Sequence, residues 1–250
     1  MIRGLYTAAS GMLAEQFVQD AVASNIANVS TTAFKQDIPT FRAVADIALR
    51  RFSGEGSAGV SVGGLGLGVV FDHTTPNMLQ GALLPTGGKT DFALEGSGFF
   101  VVQTPKGERY TRDGQFHVEL DQQSGSFFTD GSGNRLLGKN GVLNMHGARN
   151  VEVRSDGTVV ADGKEVDKLK VVDVIGPALQ KEGGNTYTFT GTPKESKAKI
   201  MQGFLEQSNV SPISAMVKLI TVQRAYEASA KAVTAQDETL GIVVNELGRV

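Results

Sequence analysis

An apolar residue returns every seven positions near the C-terminus: Leu219, Tyr226, Val233, Leu240 and Leu247. Val222, Ala230 and Val243 or Val244 fall between them, and sustained heptads of this kind indicate a coiled-coil seam. Ser211 followed by Pro212 offers an N-cap and a proline suited to the first helical position. The spacing therefore predicts a helix over 211–247, about 55 Å long at 1.5 Å per residue. A domain made from 250 residues is too small to cover such a helix along its length. An internal amphipathic helix lying on a β domain is the plainer alternative. Its length and terminal position favour packing on another helix or another chain.

A second apolar stripe occupies the N-terminus. Ile2, Leu5, Ala9, Met12, Leu13, Ala23 and Ile26 recur at helical spacing, which predicts a helix over 2–28. Gly4 and Gly11 each weaken it by roughly 1 kcal/mol relative to alanine, so it needs a partner. Pairing the two helices would bury both stripes. Leu5, Met12 and Ile26 on one side, with Leu219, Tyr226, Val233, Leu240 and Leu247 on the other, are the candidate assembly residues.

The middle of the chain reads as β structure. Short strands are separated by Lys106-Gly107, Asp113-Gly114, Ser124-Gly125, Asp130-Gly131, Asn140-Gly141, Asp156-Gly157 and Asp162-Gly163. Asp-Gly and Asn-Gly supply the positive φ angles that tight hairpins require. The runs 99–102 and 170–175 are the clearest strands. Seven of the fifteen residues 54–68 are glycine, which predicts an extended linker that takes its conformation from an assembly. The expected fold is α+β: paired N- and C-terminal helices as a coiled coil, an inserted all-β domain and a Gly-rich extended linker. The expected divisions are 1–30 and 201–250 for the assembly core, 31–89 for the linker region and 90–200 for the outer β domain.

Composition excludes several classes. A net charge of -2 supplies no basic field for nucleic acid or an anionic membrane. Tryptophan is absent and aromatics make up 7%, which disfavours a stacking platform. With no cysteine there is no disulfide framework, thiolate metal site or cysteine nucleophile. The first residues lack the charged start and apolar run of a cleaved signal peptide, and no stretch approaches the ~18 apolar residues of a membrane span. The expectation is a protein that stays in the cytoplasm or leaves it without signal cleavage.

Sequence patterns that suggest chemistry dissolve on inspection. Gly54, Gly56 and Gly59 fit a dinucleotide-binding spacing, yet more glycine follows where a helix should begin. Gly87-Gly88-Lys89-Thr90 resembles the end of a phosphate loop, but the glycine required five residues before Gly88 is Leu83. His73, His117 and His146 are scattered, without the clustering a metal needs. Asp91 and Glu95 would stand about 13 Å apart along a strand, too far for a glycosidase pair. Asp113 and Glu119 read better as turn or solvated carboxylates. No catalytic, cofactor or metal residue is assigned.

Four collinear stretches resemble the bacterial flagellar rod and hook family. The first is Leu5-Tyr6-Thr7-Ala8-Ala9-Ser10-Gly11-Met12, with Ser24-Asn25-Ile26-Ala27-Asn28-Val29-Ser30-Thr31 and Phe34-Lys35. The second is Thr90-Asp91-Phe92-Ala93-Leu94-Glu95-Gly96-Ser97-Gly98-Phe99-Phe100, and the third Tyr110-Thr111-Arg112-Asp113-Gly114. The fourth joins Gln202-Gly203, Leu205-Glu206-Gln207-Ser208-Asn209-Val210 and Gln223-Arg224-Ala225-Tyr226-Glu227. Ala33 stands where the family usually has glycine, and Ala215 where it often has glutamate.

The resemblance implies a structural subunit, not an enzyme, that self-assembles into the helical drive shaft between motor and hook. Chain length is similar to that of the middle-sized rod subunits, the proximal kind favoured over the distal by the stretches 75–81, 85–88 and 179–187. Implied partners are copies of itself, other rod proteins, hook-side neighbours and the flagellar export apparatus. No nucleic acid or small-molecule substrate is expected, and the location is the periplasmic rod. A secreted cell-wall hydrolase would need a carboxylate pair. An adhesin on a coiled-coil stalk would fit the texture but not the four stretches.

Overall fold

The computed structural model describes residues 2–44, 46–51, 60–121, 125–148, 150–174, 179–183 and 185–247. The chain is an α+β protein, with a helix at each end and many strands between them. It divides into two compact units. One comprises Met1–Ala27, Asp37–Thr75 and Ser211–Val250, the other Asn28–Gln36 and Pro76–Val210.

The first unit holds α1 (Ile2–Ala27), β1 (Asp37–Ala43), β2 (Ile47–Arg51), β3 (Val60–Leu65), β4 (Val69–Pro76) and α2 (Pro212–Leu247). α2 starts where Ser211 and Pro212 predict. The Ser211 carbonyl accepts from the Ala215 N–H at 2.9 Å and opens the helical ladder. α1 lies against α2. A Cβ on Gly4 would meet the Gln236 amide at 2.5 Å, and one on Gly11 would meet Ser229 Oγ at 3.8 Å. Positions thus rise by seven on one helix as they fall by seven on the other, so the helices run antiparallel. The glycine that weakens α1 at position 4 is what admits the Gln236 side chain.

β1 pairs with β4, and α1 packs on that ribbon through Phe17, stacked 4.4 Å from Phe71, with Phe41 edge-on to Phe71 at 6.1 Å. The glycine-rich segment departs from the linker expectation. β3 pairs antiparallel with β2, Ile47 opposite Leu65 and Leu49 opposite Gly63. The alternation of Val60 and Val62 with Ser61 and Gly63 is strand patterning that the glycine count conceals. Residues 54–59 of the expected linker lie outside the described residues.

Among the described residues, the second unit contains seventeen strands in chain order. They are β5 (Leu83–Pro85), β6 (Phe92–Glu95), β7 (Phe99–Thr104), β8 (Gly107–Thr111), β9 (His117–Asp121) and β10 (Gly125–Thr129). Next come β11 (Arg135–Gly138), β12 (Gly141–Val142), β13 (Val151–Val153), β14 (Thr158–Ala161), β15 (Lys164–Lys168) and β16 (Val171–Asp173). The last are β17 (Leu179–Gly183), β18 (Thr186–Phe189), β19 (Lys194–Glu195), β20 (Lys199–Gln202) and β21 (Phe204–Glu206).

The main sheet runs β17-β18-β8-β7-β11-β10-β9, with β16 also paired to β7. β7 is apolar on both faces because both are covered. Phe100 and Val102 enter one core with Phe92, Phe116, Phe128 and Leu136, while Phe99 and Val101 enter another with Tyr110 and Tyr187. The expected strand at 170–175 is the shorter β16. Asp162 and Gly163, at φ 48° and 82°, close the two-residue turn between Ala161 and Lys164 as their dipeptide predicts.

Candidate assembly interface

The heptad residues face inward within the first unit. Leu219, Tyr226, Val233 and Leu240 are half-buried on α2, as are Leu5, Met12 and Ile26 on α1. The Leu247 side chain lies outside the described residues. Alternating with the heptad residues at steps of four and three, Ala215 and Val222 are buried and Ser229 and Gln236 half-buried. Of the intermediate positions read from sequence, Val222 is buried and Ala230 half-buried, whereas Val243 and Val244 are exposed. Extended by the same seven-residue step, the register of Gly4 with Gln236 and Gly11 with Ser229 leads to Val18 with Val222 and Asn25 with Ala215. Small residues alternate with large ones along this seam, which lets the two helices approach closely.

The opposite side of each helix is apolar and open. On α2, Ile213 (76% exposed), Met216, Val217 and Ile220 form a stripe at helical spacing, and Ile242 lies further along. On α1, Tyr6 and Leu13 (59% exposed) stand seven residues apart. Leu13 corrects the sequence reading, which places it in the α1 stripe, as do Ala9 and Ala23, both exposed. Tyr6, Ile213, Met216, Val217, Ile220 and Ile242 are missed there because a single best heptad is sought. The signal was present, since both helices carry apolar residues outside one stripe.

A buried ionic knot lies within the second unit. Lys35 Nζ donates to Glu206 Oε1 at 2.5 Å and to the Leu79 carbonyl at 2.8 Å. Arg112 Nη1 donates to Glu206 Oε2 at 3.3 Å, and the Gly81 N–H donates to Glu206 Oε1 at 2.8 Å. All three charged side chains are at least nine-tenths buried. Burial holds the Lys35 ammonium below its ordinary value, with Glu206 opposing the drop, and Arg112 is lowered for the same reason. Burial likewise pushes the Asp113 carboxyl up, against hydrogen bonds from the Gln115 N–H and the Thr32 hydroxyl.

The same segments are stitched by backbone and amide bonds. Ala33 N donates to the Glu206 carbonyl at 2.7 Å, and Gln36 N to Asn209 Oδ1 at 2.8 Å. Asn209 Nδ2 donates in turn to the carbonyls of Asn77 and Leu79. The segments 28–36 and 206–210 are thereby clamped side by side. Ala33 adopts φ 53° while 1% exposed, a left-handed conformation that glycine takes freely. A branched Cβ is far less tolerable. Ala33→Val is expected to lower stability by about 2 kcal/mol or more, measured by urea unfolding. An unchanged midpoint would mean that the turn relaxes without cost.

Three family models match in order along the chain. Residues 5–35 match the family described as Flagella basal body rod protein. Residues 93–161 match the Flagellar hook protein FlgE/F/G D1 domain, and 201–247 the Flagellar basal body rod FlgEFG protein C-terminal region. The chain is similar to Flagellar basal-body rod protein FlgG of Bacillus subtilis, 31% identical over 268 residues, covering 98% of this chain and 99% of that one. It is also similar to Flagellar basal-body rod protein FlgF of Caulobacter vibrioides, 34% identical over 265 residues that span all of both chains. FlgG of Borreliella burgdorferi is 31% identical, with 98% of each chain covered.

Proposed function

The chain belongs to the flagellar basal-body rod protein family, and we propose that, as a structural subunit of that rod, it polymerises helically through its terminal helices. The observation that carries this reading is the second apolar stripe. α1 and α2 cover each other along one face yet leave Ile213, Met216, Val217 and Ile220 in water. An open stripe of this kind is an association surface. The antiparallel pair acts as a coiled coil whose seam includes Leu5, Met12, Ile26, Leu219, Tyr226, Val233, Leu240 and Leu247, and whose outer face meets neighbouring subunits. The β-rich unit forms the outer wall.

In this reading the partners are further copies of the chain, other rod proteins and hook-side neighbours. The subunit reaches the periplasm through the flagellar export apparatus without signal cleavage and carries torque from motor to hook. It does so with no catalytic step. Of the two middle-sized kinds, the stretches 75–81, 85–88 and 179–187 favour the proximal.

Deleting the gene should leave cells non-motile with rods that end early, and a tagged copy should co-purify with basal bodies at one rod level. Motile deletion cells with complete hooks would defeat the proposal.

A further inference from the structure

The buried ionic knot takes its three charges from distant parts of the chain, and the anion comes last. Glu206 follows Arg112 by 94 residues and Lys35 by 171. The segment around Glu206 completes the second unit in other ways too. Among the described strands, β20 is the sole partner of β6, and β21 of β5. Gly203 N donates to the Asp91 carbonyl and Gln207 N to the Ala82 carbonyl, both at 2.8 Å. Ile200, 3% exposed, joins the core that holds Phe92 and Leu94. Without this segment, a unit that closed its cores would bury Lys35 and Arg112 with no anion, far costlier than leaving both in water. An apolar trio in the same three places would carry no such penalty and often packs at least as stably. What the charges add is a condition on the order of folding.

We propose that Glu206, with β20 and β21, is a closing clasp: the second unit stays open until residues 199–206 join it, and its cores form only then. A chain made from its N-terminus presents Lys35 and Arg112 long before Glu206. Until the carboxylate arrives, the two cations keep their segments in water. The delay suits a chain that is passed through an export apparatus, because the chain cannot lock before β20 and β21 are made. That use rests on the reading of the chain as an exported rod subunit, whereas the folding rates of the purified protein report on the clasp alone.

Refolding and unfolding rates of the full chain in urea, read by tyrosine fluorescence, test the clasp. Glu206→Gln should slow refolding by at least about tenfold and speed unfolding by less than about threefold, as for contacts already made at the folding barrier. Ile200→Val is a milder change on β20 and should divide its smaller loss in the same way. It decides the matter if Glu206→Gln does not fold. Val172→Ala, in the other core beside Phe99 and Tyr187, should act mainly on unfolding, because that core forms after the clasp. If the larger part of the loss in Glu206→Gln or in Ile200→Val falls on the unfolding rate, residues 199–206 dock on a unit already folded and the proposal is overturned. The same division for Val172→Ala as for Ile200→Val would overturn it as well, since the clasp would then have no precedence.

Discussion

Replacing Glu206 with glutamine is expected to destabilise the protein by about 3–5 kcal/mol, because it leaves two cations buried beside a neutral amide. Lys35 and Arg112 both give hydrogen bonds to this one carboxylate, and Lys35 is 1% exposed. The deficit should also depend on pH in a definite direction. In the native protein burial lowers Lys35 and Glu206 opposes that drop, while Arg112 adds to it. Removing the carboxylate therefore lowers Lys35 further. A lysine that binds its proton less tightly when folded than when unfolded gains stability as pH rises through its folded value toward the ordinary 10.5. The variant enters that window at lower pH than the parent, so its deficit should shrink between neutral and alkaline pH. Urea titrations at several pH values would read this. A deficit constant with pH would mean that lost packing, not uncompensated charge, is responsible.

This knot also shows how much of the molecule was legible in the sequence. The two helices were legible because heptad spacing and the Ser211-Pro212 start are local signals, and α2 runs from Pro212 to Leu247 as they imply. The Asp162-Gly163 turn was legible for the same reason. The knot was not, because Lys35, Arg112 and Glu206 are far apart in the chain and join only on folding. Each nevertheless sits inside one of the stretches that carried the family resemblance. A charged residue embedded in each of three separate motifs is the signal that could have paired them. The linker reading strayed because glycine content was weighed above the period-two pattern of Val60 and Val62, which builds β3. Pairing choices across the main sheet, such as β16 beside β7, depend on long-range packing that no local spacing encodes.

Two substitutions on α2, two residues apart, should have opposite consequences. Val222 is 5% exposed and turned toward α1, whereas Ile220 is 53% exposed on the outer stripe. Val222→Asp places an unpaired carboxylate between the helices. It should cost about 3 kcal/mol or more and melt the pair, seen as lost helical circular dichroism in the monomer. Ile220→Asp puts its charge into water, so monomer helicity and urea midpoint should stay within about 0.5 kcal/mol of the parent. Its effect belongs to association. A charge inserted in the apolar stripe must be desolvated when a neighbour docks, and sedimentation should show assembly weakened by about tenfold or more. Ile213→Asp, one helical repeat earlier on the same stripe, should behave like Ile220→Asp. If Ile220→Asp assembles like the parent, the outer stripe is not the subunit interface. If Val222→Asp keeps its helices and loses only assembly, the seam lies between chains and not within one.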